Sequence, residues 1–188
     1  MTRGRTTTVK MTLTGLMAAL ICLLGPFSVP VPFSPVPFSL CTMVIYFAVY
    51  VLGLGLGTCS VTIYLLLGLI GLPVFSGFTG GAGKLLGPTG GYLIGYLFIA
   101  CISGLFIKKW GTSYTLQNLI ICFFGMTFGT IVCYLFGTLW LSYQLSLSFT
   151  TALSVGALPY IPPDILKMIL ALLLARSTKK RLNVSGIF

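Results

Sequence analysis

From Lys10 to Lys84 the chain carries no charged side chain. A water-soluble domain has roughly 25% charged residues, but this 188-residue chain has 6%, against 57% hydrophobic. Equally apolar runs recur along its whole length, so the first is not read as a cleavable signal. A membrane span needs about 20 apolar residues. The sequence therefore predicts an all-α integral membrane protein, one domain over residues 1–188. Six transmembrane helices are expected: Met11–Leu24, Ser39–Leu54, Thr58–Leu72, Thr89–Ile107, Leu116–Leu141 and Pro162–Arg176. The shorter ones imply tilt or local thinning of the bilayer.

The charges orient these spans. Arg3, Arg5 and Lys10 precede the first helix, Lys108 and Lys109 lie between the fourth and fifth, and Arg176, Lys179, Lys180 and Arg181 follow the sixth. Six spans put all three clusters on one side. The positive-inside rule makes that side cytoplasmic, with both termini, in a compact bundle. Trp110 and Trp140 then fall near opposite interfaces, as aromatic belts require. The net charge of +10 is thus a topological signal. With no basic groove or zinc-finger spacing, nucleic acid is not expected as a partner.

Asp164 is the only acidic residue, and there is no His. Lys167 follows it by one helical turn, on the same helix face. Ionisable residues inside membrane segments usually mark a ligand or ion site. Asp164 to Arg176 is twelve residues, roughly 18 Å of helix, against a hydrocarbon core of about 30 Å. With Arg176 at the inner face, Asp164 lies roughly a third of the way in from outside, in an outward-facing pocket at a helix N-terminus. The preceding Ala152–Pro163 segment is apolar and proline-broken; non-helical backbone at that depth is tolerated where it lines a cavity.

Two outer loops stand out. Pro30-Val-Pro-Phe-Ser34 is repeated as Pro35-Val-Pro-Phe-Ser39. Alternating prolines predict polyproline II geometry, serving either as a stiff connector or as a lid that lays Phe33 or Phe38 over a pocket. The second loop, Gly77-Phe-Thr-Gly-Gly-Ala-Gly-Lys84, is glycine-rich. It is not a Walker A loop, because Phe78 stands where the first Gly is needed and Leu85 where the Ser or Thr is needed. What remains is backbone able to approach a ligand closely, and one cation, Lys84, which reads equally well as a solvated loop charge. Small residues recur four apart: Gly15 with Ala19 and Ala18 with Cys22, with Gly91, Gly95, Gly125 and Gly129 on the fourth and fifth helices. Such spacing permits close helix packing, within one chain or against a second chain on the first helix. Gly53-Leu-Gly-Leu-Gly57 fills an inner turn.

Without His, no Ser-His-Asp or Cys-His set exists, and one carboxylate cannot form an acid–base pair. Six cysteines without a C-x-x-C pair read as small apolar packing residues, and no metal site or cofactor is expected. Binding and translocation remain.

Three stretches carry a resemblance: Pro35-Val-Pro-Phe-Ser-Leu40, Tyr64-Leu-Leu-Leu-Gly-Leu-Ile-Gly-Leu-Pro-Val-Phe75 and Leu85-Leu-Gly-Pro-Thr-Gly-Gly-Tyr-Leu-Ile-Gly-Tyr96. With Pro163-Asp-Ile-Leu-Lys167, they make nearly the whole chain resemble the BioY family, the biotin-binding S components of energy-coupling factor (ECF) transporters. The resemblance implies that biotin is captured from outside, in the cell membrane, and delivered with a transmembrane T component and two cytoplasmic ATPases. It also implies a helix-1 contact with the T component through Ala-x-x-x-Ala. This chain departs there, with Ala18 followed by Cys22 and with Gly15 and Ala19 as a second small pair. It departs again at Cys41, where the family tends to carry Gln.

Biotin presents two ureido N–H groups, a ureido C=O, an apolar ring and a carboxylate tail. An ionised Asp only accepts and Lys only donates. Asp164 therefore suits the ureido N–H groups, with Lys167 completing the head-group site. Lys84 and the Gly80, Gly81 backbone are candidates for the tail, with Lys167 the other cation available. Thr79, Tyr92 and Tyr96 are further polar or ring contacts, and Phe75, Phe78 and Phe38 candidates to cover the ring. The competing readings are a solitary proton-coupled vitamin carrier using Asp164, an S component for another small vitamin, and a structural subunit with a buried Asp164–Lys167 pair. No convincing internal repeat supports the carrier.

Overall fold

The computed structural model describes the backbone of residues 3–111 and 115–184 and the side chains of residues 7–111 and 115–182. The Arg3 and Arg5 side chains of the first basic cluster lie outside the described residues. In chain order the elements are α1 (Arg3–Leu24), β1 (Ser28–Val31), β2 (Ser34–Ser39), α2 (Cys41–Leu69), α3 (Ala82–Leu86), α4 (Gly90–Trp110), α5 (Leu116–Leu145), α6 (Phe149–Gly156), a 3-10 turn (Leu158–Tyr160) and α7 (Ile161–Val184). Five helical stretches are long and apolar enough to cross a membrane: Thr7–Leu24, Cys41–Leu69, Gly90–Trp110, Leu116–Leu145 and Phe149–Leu182.

The 29 residues of α2 are not one straight rod. Gly53 sits at φ 79°, ψ −175° inside it, a conformation essentially reserved for glycine. A Cβ placed on Gly57 would stand 2.8 Å from Val49 Cα, whereas residues eight apart along an unbroken helix are separated by about 12 Å. The chain folds back at Gly53, and the two halves of α2 pack side by side. The predicted glycine turn is therefore present, compressed to a single non-helical residue.

Two expectations need correction. The segment after α1 is an antiparallel hairpin pairing Ser28 with Ser39, Val29 with Phe38 and Val31 with Ser34, not a polyproline II connector. Extended β and polyproline II backbones are neighbours in dihedral space, and each strand of a two-stranded hairpin keeps a free edge where a proline's missing N–H is harmless. The all-α class is thus amended by one small sheet. The Ala152–Pro163 segment is not irregular either: it forms α6, the 3-10 turn and the start of α7. Pro162 and Pro163 lie in the first turn of α7, where an N–H has no intrahelical acceptor to lose. Helix ends also shift. The helix expected from Met11 begins at Arg3, and the last one runs past Arg176 to Val184.

Close backbone contact holds α4 against α5. A Cβ on Gly91 would stand 2.4 Å from Trp140, on Gly95 2.6 Å from Cys133, on Gly125 2.5 Å from Phe106 and on Gly129 3.2 Å from Ile99 Cα. The small residues noted on these two helices therefore serve packing within the chain. One end of the bundle gathers the hairpin, the 70–89 loop and the close of α5. Gly77 N–H bonds Pro26 O at 3.0 Å, Trp140 Nε1 bonds Gly87 O at 2.9 Å and Gln144 Nε2 bonds Leu86 O at 2.6 Å. Trp110 closes α4 at the opposite end. Asp164, in the first turn of α7, belongs to the hairpin end.

Candidate functional site

Asp164 and Lys167 are 4% and 5% exposed, so neither charge is solvated by bulk water. Lys167 Nζ donates to Asp164 Oδ1 at 2.8 Å, to the Ser39 carbonyl at 2.6 Å and to Thr42 Oγ1 at 3.3 Å. Its three N–H donors are all used. The same ammonium stands 4.0 Å from the centre of the Phe38 ring, a cation–π contact. The other carboxylate oxygen, Oδ2, accepts a 2.5 Å bond from Tyr134 Oη on α5. A buried ion pair offsets its desolvation only when further hydrogen bonds complete it, and here Ser39, Thr42 and Tyr134 do so. Each carboxylate oxygen has accepted one bond of the roughly two it can take. Asp164 is thus held rigid from two sides and keeps an acceptor position on each oxygen.

These groups line one pocket. Val36 and Pro37 of β2 form its roof, and Ser39 and Thr42 one wall. Tyr92, Tyr96 and Ile99 come from α4, Thr130, Cys133 and Tyr134 from α5, and Gly156 and Tyr160 lie beside Asp164 and Lys167. The Tyr160 hydroxyl donates to the Val36 carbonyl and ties the roof to the start of α7. Tyr46 Oη lies 2.6 Å from Thr130 Oγ1, and Tyr92 Oη lies 3.3 Å from Thr138 Oγ1. The volume open to the centres of water molecules is about 50 Å³, room for a few waters.

Of the residues expected from sequence, Asp164, Lys167, Tyr92 and Tyr96 line this pocket, and Phe38 touches it through Lys167. The others are placed elsewhere. Phe75 is fully buried, packs edge-on against Tyr64 at 5.5 Å and fills the space above Gly68, where a Cβ would come within 2.0 Å of its ring. Thr79 pairs its backbone with Phe75 and bonds Ser76 O through its hydroxyl at 3.0 Å. Gly80 approaches Leu72 O so closely that a Cβ would stand 2.2 Å away, and Gly81 N–H bonds Gly68 O at 2.7 Å. Phe78 is 62% exposed and meets Phe27 at 5.6 Å in a separate outer groove. Lys84 lies in α3, at the same end of the bundle but outside the pocket lining. Cys41 is buried and also outside the lining. On α1, Gly15 and Ala19 face outward, while Ala18 is buried and Cys22 packs partly against the core.

Tyr134, Thr130, Thr42, Ser39 and Tyr160 join the site without having been expected there. A signal is present for two of them. Thr127, Thr130, Tyr134 and Thr138 recur at three- and four-residue spacing along α5, a polar stripe on an otherwise apolar helix.

Comparison with known proteins places this architecture. The BioY family model matches residues 1–184. The chain belongs to the BioY family. It is similar to the biotin transporter BioY of Lactococcus lactis subsp. cremoris, with 40% identity over 91% of this chain and 90% of that protein. The BioY of Thermotoga maritima is 38% identical over 88% of this chain and 93% of its own length. Among solved structures, the S-component for biotin from an ECF-type ABC transporter superposes with a TM-score of 0.85 at 39% identity, covering 96% of this chain and 95% of that one. Like its BioY relatives, the chain is a multi-pass membrane protein.

Proposed function

We propose that this chain captures biotin from outside the cell membrane as the substrate-binding subunit of an ECF-type importer. It hands biotin on in company with a transmembrane T component and two ATPases. Counting α2 as two spans gives six, which puts both termini and every basic cluster on the cytoplasmic side. Binding rather than catalysis is the reading that one buried carboxylate and no His support.

The observation that carries the proposal is the state of Asp164. Tyr134 and Lys167 fix its carboxylate at the base of a pocket walled by Tyr92, Tyr96 and Ile99, and each oxygen retains an acceptor position. The ureido ring carries one N–H on each side of its carbonyl, so one N–H can reach Asp164, and the aromatic wall suits the apolar ring beyond it. Lys167 has no spare N–H, so it orients Asp164 and does not also neutralise the tail. That role falls to Lys84, the remaining cation on the outer side, with the adjoining glycine-loop backbone. Admitting the ring system requires the Val36–Phe38 roof to lift and the Tyr160–Val36 bond to open.

Equilibrium competition tests the substrate assignment. Purified chain in detergent, without ATP or partner chains, is expected to bind biotin at one site and to release it only to ureido-containing analogues. Displacement by a different vitamin, with no saturable biotin site, refutes the proposal.

A further inference from the structure

A second concave site, sharing no lining residue with the Asp164 pocket, lies between the first two turns of α5 and the middle turns of α7. Leu119 and Phe123 form one wall, Ile169 and Leu172 the other, and every lining side chain is apolar except Arg176. The groove offers about 200 Å³ to the centres of water molecules, several times the space in the Asp164 pocket. It opens sideways on a surface whose neighbours, Ile120 and Leu173, are 46% and 57% exposed. Leu116 to Phe123 is two helical turns, so the groove runs roughly 10 Å along the bundle. Arg176 stands at its basic end, one turn beyond Leu172.

We propose that this groove holds an acyl chain of one anionic phospholipid, from the leaflet that the basic clusters face, with its phosphate on Arg176. Hydrocarbon fills any apolar groove open to a bilayer; the group at its end decides which lipid is retained. That group is a guanidinium with five N–H donors in a fork that matches phosphate oxygens. Its surroundings add Lys179, Lys180 and Arg181 on the next turns of α7. The only carboxylate side chain in the protein, Asp164, is twelve residues away and paired with Lys167. Basic pockets between transmembrane helices on the cytoplasmic side are suited to anionic headgroups. The site is independent of the biotin pocket.

Native mass spectrometry of the full chain, released from micelles holding equal phosphatidylglycerol and phosphatidylcholine of identical chains, tests this. The wild type is expected to retain one phosphatidylglycerol in preference. Arg176→Gln should cut that preference about fivefold, the worth of one cationic contact at the membrane surface, and Arg176→Lys should restore part of it. Leu119→Trp, which fills the groove, should reduce retention of both lipids. Biotin binding, expected to be unchanged, reports folding in each variant. Equal retention of the two lipids by the wild type overturns the proposal. So does a preference that survives Arg176→Gln and disappears with Lys179→Gln and Lys180→Gln, which would mean diffuse attraction to the basic end.

Discussion

Replacing Asp164 by Asn tests the head-group assignment while preserving side-chain shape. The amide keeps one acceptor oxygen, loses the charge and turns the other position into a donor. The ureido N–H either meets a neutral amide oxygen in place of a charged acceptor or faces the amide's own donor. A hydrogen bond to a charged group contributes about 1.5–3 kcal/mol, and each 1.4 kcal/mol is tenfold. The affinity for biotin should fall about 10- to 100-fold. The substitution also withdraws the anion from Lys167. A buried charge left without its partner costs about 3–5 kcal/mol. Here Ser39 O and Thr42 Oγ1 remain on the ammonium at 2.6 and 3.3 Å, so the stability loss should fall below that range. Titration calorimetry in detergent, with size-exclusion profile and thermal unfolding recorded alongside, separates lost affinity from lost fold. A folded Asp164→Asn protein that binds biotin as tightly as the wild type refutes the assignment.

Tyr134→Phe removes one donor from Asp164 without touching a charge; biotin affinity should fall less than in Asp164→Asn, roughly 5- to 20-fold for about 1–1.8 kcal/mol, read by the same titration. Lys84→Ala should abolish any preference for biotin over its neutral amide, and a preference that persists moves the tail contact to Lys167. Tyr160→Phe frees the Val36 carbonyl from its tie, so biotin association measured by stopped flow should accelerate. Gly53→Ala forces a Cβ into a glycine-only conformation costing about 1–3 kcal/mol, and the midpoint of thermal unfolding should drop by several degrees, about 2–4 °C for each kcal/mol.

The Asp164–Lys167 pair is legible in the sequence because charges inside an apolar run are costly, and two of them one turn apart can offset that cost by pairing around a site. Gly53 is legible as a turn for a local reason as well, since backbone conformation depends on the residue itself. Tyr134 is legible only as part of the polar stripe of α5, not as a partner of Asp164. Its role exists only because α5 and α7 bring positions thirty residues apart to within hydrogen-bond reach, and nothing in a single helix records its neighbour. Phe75, Gly80 and Gly81 lie outside the lining of the Asp164 pocket for the opposite reason. A glycine-rich loop with an aromatic resembles a ligand cradle, but here Gly80 admits the Leu72 carbonyl, while Gly68 of α2 admits the Phe75 ring. The Pro-Val-Pro-Phe repeat specifies extended backbone, and pairing between its strands, a tertiary event, makes it a hairpin. The span boundaries stray wherever helix continues beyond the hydrocarbon, as at Arg3 and beyond Arg176.

The most direct test is a crystal structure of the chain grown with biotin. One ureido nitrogen should lie within about 2.7–3.2 Å of an Asp164 oxygen, with Tyr134 and Lys167 still bonded to that carboxylate and the tail pointing toward α3. Biotin seated with its carboxylate on Lys167, or with its ureido ring away from Asp164, would contradict the proposed recognition.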